Sequence, residues 1–107
     1  MPIKISQHRV DIDNKELQNP RFKNKSESVI TDDSTATYTA DLSLANTFNI
    51  TLTANCTFTF SNPAATDKET EFMLVLTQDA TGSRTATWPT SVAWEDGTAP
   101  TLATAAG

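Results

Sequence analysis

Between Thr47 and Phe60 the chain alternates without a break. Phe48, Ile50, Leu52, Ala54, Cys56, Phe58 and Phe60 are apolar or small, and every position between them is Thr or Asn. Successive side chains of a strand point to opposite faces, so the pattern spells strands with one buried and one wet side. The run is longer than an ordinary strand. Asn tolerates the left-handed backbone that tight hairpins need, so a turn is predicted near Ala54-Asn55, between strands at about 47–53 and 56–60.

The same alternation continues on both sides. In "TATYTADLSL" (35–44), Ala36, Tyr38, Ala40, Leu42 and Leu44 share one parity, which predicts another half-buried strand. "SNPAATDKET" (61–70) reads as a loop. "EFMLVLTQ" (71–78) is apolar on both parities, as expected of a strand covered on both faces, so it is assigned to the centre of a sheet or to a subunit contact. "DATGSR" (79–84) reads as a turn in which Gly82 is free to take positive φ. "TATWP" (85–89) and "SVAW" (91–94) are predicted as short strands parted by Pro89, which cannot donate to a ladder and marks an edge or a bend. "EDGTAP" (95–100) turns again. Short strands at intervals near ten residues, with no helical period after residue 28, predict an all-β antiparallel β-sandwich over residues 31–107.

Residues 1–30 differ. In "NKELQNPRFKNKSES" (14–28) the large apolar groups are Leu17 and Phe22, a spacing that suits neither helix nor strand, and Pro20 interrupts any helix. Such a segment cannot bury itself, so it is expected either to be disordered or to be ordered by other chains. Charge separates the same two regions. Residues 1–27 carry six basic groups against four acidic ones, whereas residues 28–107 carry Lys68 and Arg84 against nine acids. The asymmetry assigns one job to each region.

Composition sharpens the picture. A chain of 107 residues has room for one domain, and 37 % hydrophobic residues give that domain a thin core. Association with copies of itself or with a larger particle would supply the missing burial. Thr occupies 19 positions. It stiffens strands through its branched Cβ while its hydroxyl keeps the outer face wet, a composition suited to permanent display in solvent. The net charge of −5 argues against a nucleic-acid partner. No apolar run has the length of a signal peptide or a membrane span, so a soluble product of the cytoplasm is expected. A single cysteine excludes an intrachain disulfide framework, and Cys56, on the apolar parity, reads as a small buried hydrophobe.

Residues 40–102, "ADLSLANTFNITLTANCTFTFSNPAATDKETEFMLVLTQDATGSRTATWPTSVAWEDGTAPTL", resemble the threonine-rich β-sandwich domains of bacteriophage tail fibres and related virion appendages. The segments that carry the resemblance are "NTFNITLT", "TFTFSNPA", "LTQDATGSRT" and "TWPTSVAWEDGTAPTL". More loosely, "KELQNPRFKNKSES" resembles the collars by which such fibres intertwine or dock. Two departures are Ala54, where family members often have Gly, and an end soon after "APTL", where such domains usually continue with a further strand. The resemblance implies a non-enzymatic virion protein, assembled in the bacterial host cytoplasm. It implies a homotrimer whose N-terminal arm anchors to tail or baseplate proteins and whose β domain projects outward for host attachment. Leu17, Pro20, Phe22, Val29 and Ile30 are the expected assembly interface. The alternatives are a carbohydrate-binding module that presents a host glycan site on loops 61–70, 79–84 and 95–100, and a capsid decoration or head fibre protein.

Candidate chemistry is sparse. Trp88 and Trp94 suit either a sugar-stacking platform or core plugs. His8 has no nucleophile pattern around it, so no catalytic residue is assigned. "DIDN" (11–14) and "TDD" (31–33) cluster oxygens but lack the Gly and distal Glu of a calcium loop, so no metal or cofactor is implied. The sequons at Asn24, Asn49 and Asn55 follow from the abundance of Thr and Ser. "LATAAG" (102–107) reads as a flexible tail or a cut point.

Overall fold

The computed structural model describes residues 12, 13 and 15–107. All regular structure in it is β: β1 (Val29–Ser34), β2 (Thr37–Asp41), β3 (Thr47–Leu52), β4 (Cys56–Ser61), β5 (Met73–Gln78) and β6 (Ala86–Thr87). Strands β1, β3 and β5 form one sheet and β2, β4 and β6 the other, each in that spatial order. Every pairing is parallel. The chain therefore winds as a short solenoid, and each of its three coils gives one strand to each sheet.

The expectation of antiparallel strands is corrected here. Alternation of period two is the same for either strand direction; the connections set the direction. Thr53–Asn55 does not close a hairpin. It is a corner that carries the chain from the first sheet into the second, so β3 and β4 never pair with each other. A parallel pair needs a long crossover, commonly a helix. Here the strand of the opposite sheet, with its two corners, is the crossover.

In-register stacking turns the alternation into columns. Ile30, Phe48 and Leu74 lie side by side in the first sheet, followed by Asp32, Ile50 and Leu76, then Ser34, Leu52 and Gln78. Across from them stand Tyr38 beside Phe58, Ala40 beside Phe60 and Cys56 beside Ala86. Phe48, Ile50, Leu52, Cys56 and Phe58 are almost wholly buried, so the middle coil is the centre of the core. Fully covering such apolar side chains stabilises by roughly 1.5–3 kcal/mol each. On the outside, Thr37, Thr57 and Thr87 form one exposed column and Thr39 and Thr59 the next.

The corners stack as well. The Thr53 amide and hydroxyl both donate to the Ser34 carbonyl, and the Asp79 amide donates to the Leu52 carbonyl at 3.3 Å. At the last coil Gln78 is buried and fully bonded. Its Nε2 donates to the carbonyls of Arg84 and Ala103, and its Oε1 accepts from the Arg84 amide, all at 2.9 Å. The chain end is tied down rather than loose, since the Ser83 amide donates to the Thr104 carbonyl at 2.8 Å and the Gly107 amide to the Asp79 carbonyl at 3.1 Å. Gly82 at φ 72° permits that approach, because a Cβ there would lie 2.6 Å from the Thr104 oxygen.

Two further expectations change, and one strand is new. β5 is an edge strand, not the centre of its sheet, and its second apolar parity faces out, with Met73 61 % and Val75 39 % exposed. "SVAW" is not a strand; the Val92 amide donates to the Pro89 carbonyl at 3.1 Å, which makes it a turn. β1 was hidden in the sequence, because Thr31, Asp32 and Asp33 look like turn residues.

Candidate functional site

The two sheets do not close on every side. Where the second coil's loop (62–72) and the segment after β6 (88–102) leave the solenoid, a cavity of about 690 Å³ opens between them. Phe60 and Leu74 reach it from the strands, and Phe72, Trp88, Trp94 and Leu102 from the loops. Phe60 and Leu74 arrive there because they hold the inward parity of β4 and β5. Phe72 sits one residue before β5, where Met73 begins the ladder by donating to the Asn46 carbonyl at 2.8 Å.

Aromatic rings run from the core to the cavity mouth. Tyr38 lies 6.1 Å from Phe58, Phe58 stacks on Trp88 at 5.2 Å and 19°, and Trp94 meets Trp88 at 5.6 Å and 64°. Phe72 bridges Phe60 at 5.2 Å and Phe48 at 6.2 Å. The two tryptophan planes are thus steeply inclined and Trp88 is committed to the core stack, so they form no flat platform for a sugar ring. This geometry suits the packing role.

No ionisable group lines this cavity. Ser91 lines it too, but no ionisable side chain in the lining could activate that hydroxyl, so what the cavity can do is bury an apolar group. A second groove of about 640 Å³ adjoins it through the shared Phe72 and is acidic, with Glu27, Glu69 and Glu71 in its walls.

The expected assembly residues fall into two groups. Leu17 and Phe22 are 57 % and 67 % exposed and Pro20 is exposed with them. Val29 and Ile30 open β1; Val29 stays on the outside, whereas Ile30 already packs against the core within the chain. The Lys25 ammonium lies 5.6 Å from the centre of the Phe22 ring and pairs with Glu27 at 3.1 Å, and the arm meets the domain where the Asn46 amide donates to the Ser28 carbonyl at 3.2 Å.

Of the oxygen clusters, Asp11 and Asn14 lie outside the described residues, as does His8. In "TDD", Asp32 and Asp33 point to opposite faces of β1, and Asp32 bonds Tyr38, raising its phenol pKa together with the larger effect of burial. Among the described residues no group of three His, Cys, Asp or Glu side chains is placed to hold a metal ion, and no helix is long and apolar enough to cross a membrane. Cys56 is buried, and burial pushes its thiol pKa up.

Two features escaped sequence reasoning. Gln78 continues the inward parity of Leu74 and Leu76, a signal that marked it as buried. Asp79 and Arg84 form a two-pronged ion pair across the turn, with Nη2 to Oδ2 at 2.9 Å and Nε 3.2 Å from both carboxylate oxygens. Nothing in the spacing of that pair announces it.

A family model described as "Putative phage tail fibre C-terminal domain" matches residues 22–107. No curated protein and no solved structure matches the chain. The match spans both sheets, both grooves and the arm from Phe22 onward, and the chain belongs to this family of phage tail fibre domains, structural parts of a virion.

Proposed function

We propose that the chain serves as a tail fibre subunit whose arm joins it to the particle and whose coiled β domain projects outward for host adhesion. Assembly in the bacterial cytoplasm as a homotrimer, with tail or baseplate proteins as neighbours, fits this reading. The observation that carries it is the contrast in burial. From Lys15 to Val29 every residue is exposed, including Leu17 and Phe22, while the coils enclose their own core. Two large apolar groups displayed on an arm, with no fold of their own to cover them, are explained by a partner that covers them.

The outward domain needs stiffness more than chemistry. Stacked Thr columns, bonded corners and a pinned chain end provide it. The test is incorporation: Leu17→Asp with Phe22→Asp is expected to abolish assembly of the subunit into particles while thermal unfolding of the purified chain stays unchanged. Particles that take up the double variant as readily as the wild type overturn the anchoring role.

A further inference from the structure

We propose that the aromatic cavity between the sheets receives the arm of a second copy, with Phe22 as the inserted group and Leu17 beside it. The proposal rests on the assembly role just given to the arm and names the surface that meets it. Within one chain there is an apolar cavity open to solvent and an arm whose two large apolar groups stay mostly exposed. The cavity of about 690 Å³ lies in the usual size range of binding pockets, and its walls are apolar and aromatic. Phe60, Phe72, Trp88 and Trp94 offer an entering phenyl ring edges and faces, the arrangement in which aromatic groups pair best.

Charge selects the same occupant. Phe22 is flanked by Arg21 and Lys23, with Lys25 close behind. The cavity's surroundings are acidic: Glu69 and Glu71 line the groove that adjoins it at Phe72, and Glu95 and Asp96 directly follow its lining residue Trp94 in the chain. Residues 28–107 have only Lys68 and Arg84 as cations, and Arg84 is already bound to Asp79. A basic-aromatic-basic segment therefore has its apolar group matched to the cavity and its charges matched to these surroundings, which steers encounter as well as fixing register.

A second copy, rather than the same one, is the donor. In its own chain Phe22 is 67 % exposed beneath Lys25, outside the cavity of that chain. Passing each arm to the next copy is a head-to-tail contact, and such contacts close into a ring when the rotation allows. Every arm is then covered and every cavity filled.

The test uses the full chain with a photoreactive benzoylphenylalanine in place of Phe22, in an equal mixture of isotopically heavy and light copies. Cross-links between heavy and light copies that map to residues 88–102 are expected. In parallel, Ser91→Arg, at an exposed position on the cavity wall, is expected to weaken self-association at least tenfold, as Phe22→Asp does, with unchanged thermal unfolding. Val92→Asp is the second cavity variant. Cross-links confined to one copy, or to another surface, overturn the proposal. If Phe22→Asp abolishes association while both cavity variants associate normally, the arm remains an assembly element but its receptor lies elsewhere. If none of the three variants changes association, the proposal and the assembly role of the arm fall together.

Discussion

The middle coil and the arm are both about fourteen residues long, and they meet water in opposite ways. In residues 47–60 every second side chain is apolar, so a strand conformation puts all of them on one side and the two sheets can close over them. In residues 15–28 Leu17 and Phe22 are five apart, and no regular conformation brings them to a common face with enough company to exclude water. What decides whether a segment buries itself is the period of its apolar groups. A segment whose period fails must borrow its partner.

That contrast can be broken at its strongest point first. Phe58→Ala removes the ring between Tyr38 and Trp88 and is expected to cost about 3–5 kcal/mol in chemical denaturation of the isolated chain. Leu17→Ala, by contrast, is expected to stay within about 0.5 kcal/mol in the same measurement. A Leu17→Ala loss comparable to that of Phe58→Ala would show that the arm is packed on its own domain after all. Gln78→Ala comes next. It strips the carbonyls of Arg84 and Ala103 and the Arg84 amide of their shared partner, and leaving buried polar groups unpaired costs roughly 1–3 kcal/mol. Faster amide exchange at Ser83 and Gly107, with exchange in β3 and β4 rising less, would localise the damage to the last coil.

The smallest effect is acidic. Asp79 is held below the ordinary carboxylate range, first by the Arg84 guanidinium and further by the Gly82 and Thr81 amides. Asp41 is lowered by the hydroxyl of Ser43, then by the Asn62 amide and the Ser43 backbone. A carboxyl whose folded pKa is depressed stabilises fully above its unfolded value of about 3.9, and that contribution disappears as the pH falls through the folded value. The denaturation midpoint is therefore expected to be flat near neutrality and to decline below about pH 4. Asp79→Asn should make the decline shallower; an unaltered acid profile in that variant would remove the ion pair from the explanation.

Much of the interior was legible in the sequence, and the reason is geometric. Phe48, Ile50, Leu52, Cys56 and Phe58 were assigned inward by parity alone and are the buried core. Parity carries no information on strand direction, so the antiparallel reading of Ala54-Asn55 had no safeguard against a corner. Nor does it separate a strand covered on both faces from an edge strand with apolar groups left outside, which is how Met73 and Val75 misled. Phe72 was illegible for a different reason. It lies in a loop, where no period applies, and its role as the bridge between Phe60 and Phe48 comes from the way β5 re-enters its sheet. The arm's apolar pair was visible as unburied; the cavity proposed to receive it was not, because its lining is gathered from positions as far apart as Leu42 and Leu102.

Asp32 occupies an inward column of the outermost coil, beside Ile50 and Leu76, where any coil stacked above would expect an apolar side chain. An unpaired parallel edge invites another strand, and a carboxylate aimed into the stacking column makes that addition costly. Another coil laid on β1, whether from this chain or from a second copy, would have to cover that carboxylate, so end-to-end fusion of solenoids into a fibril is disfavoured at this edge.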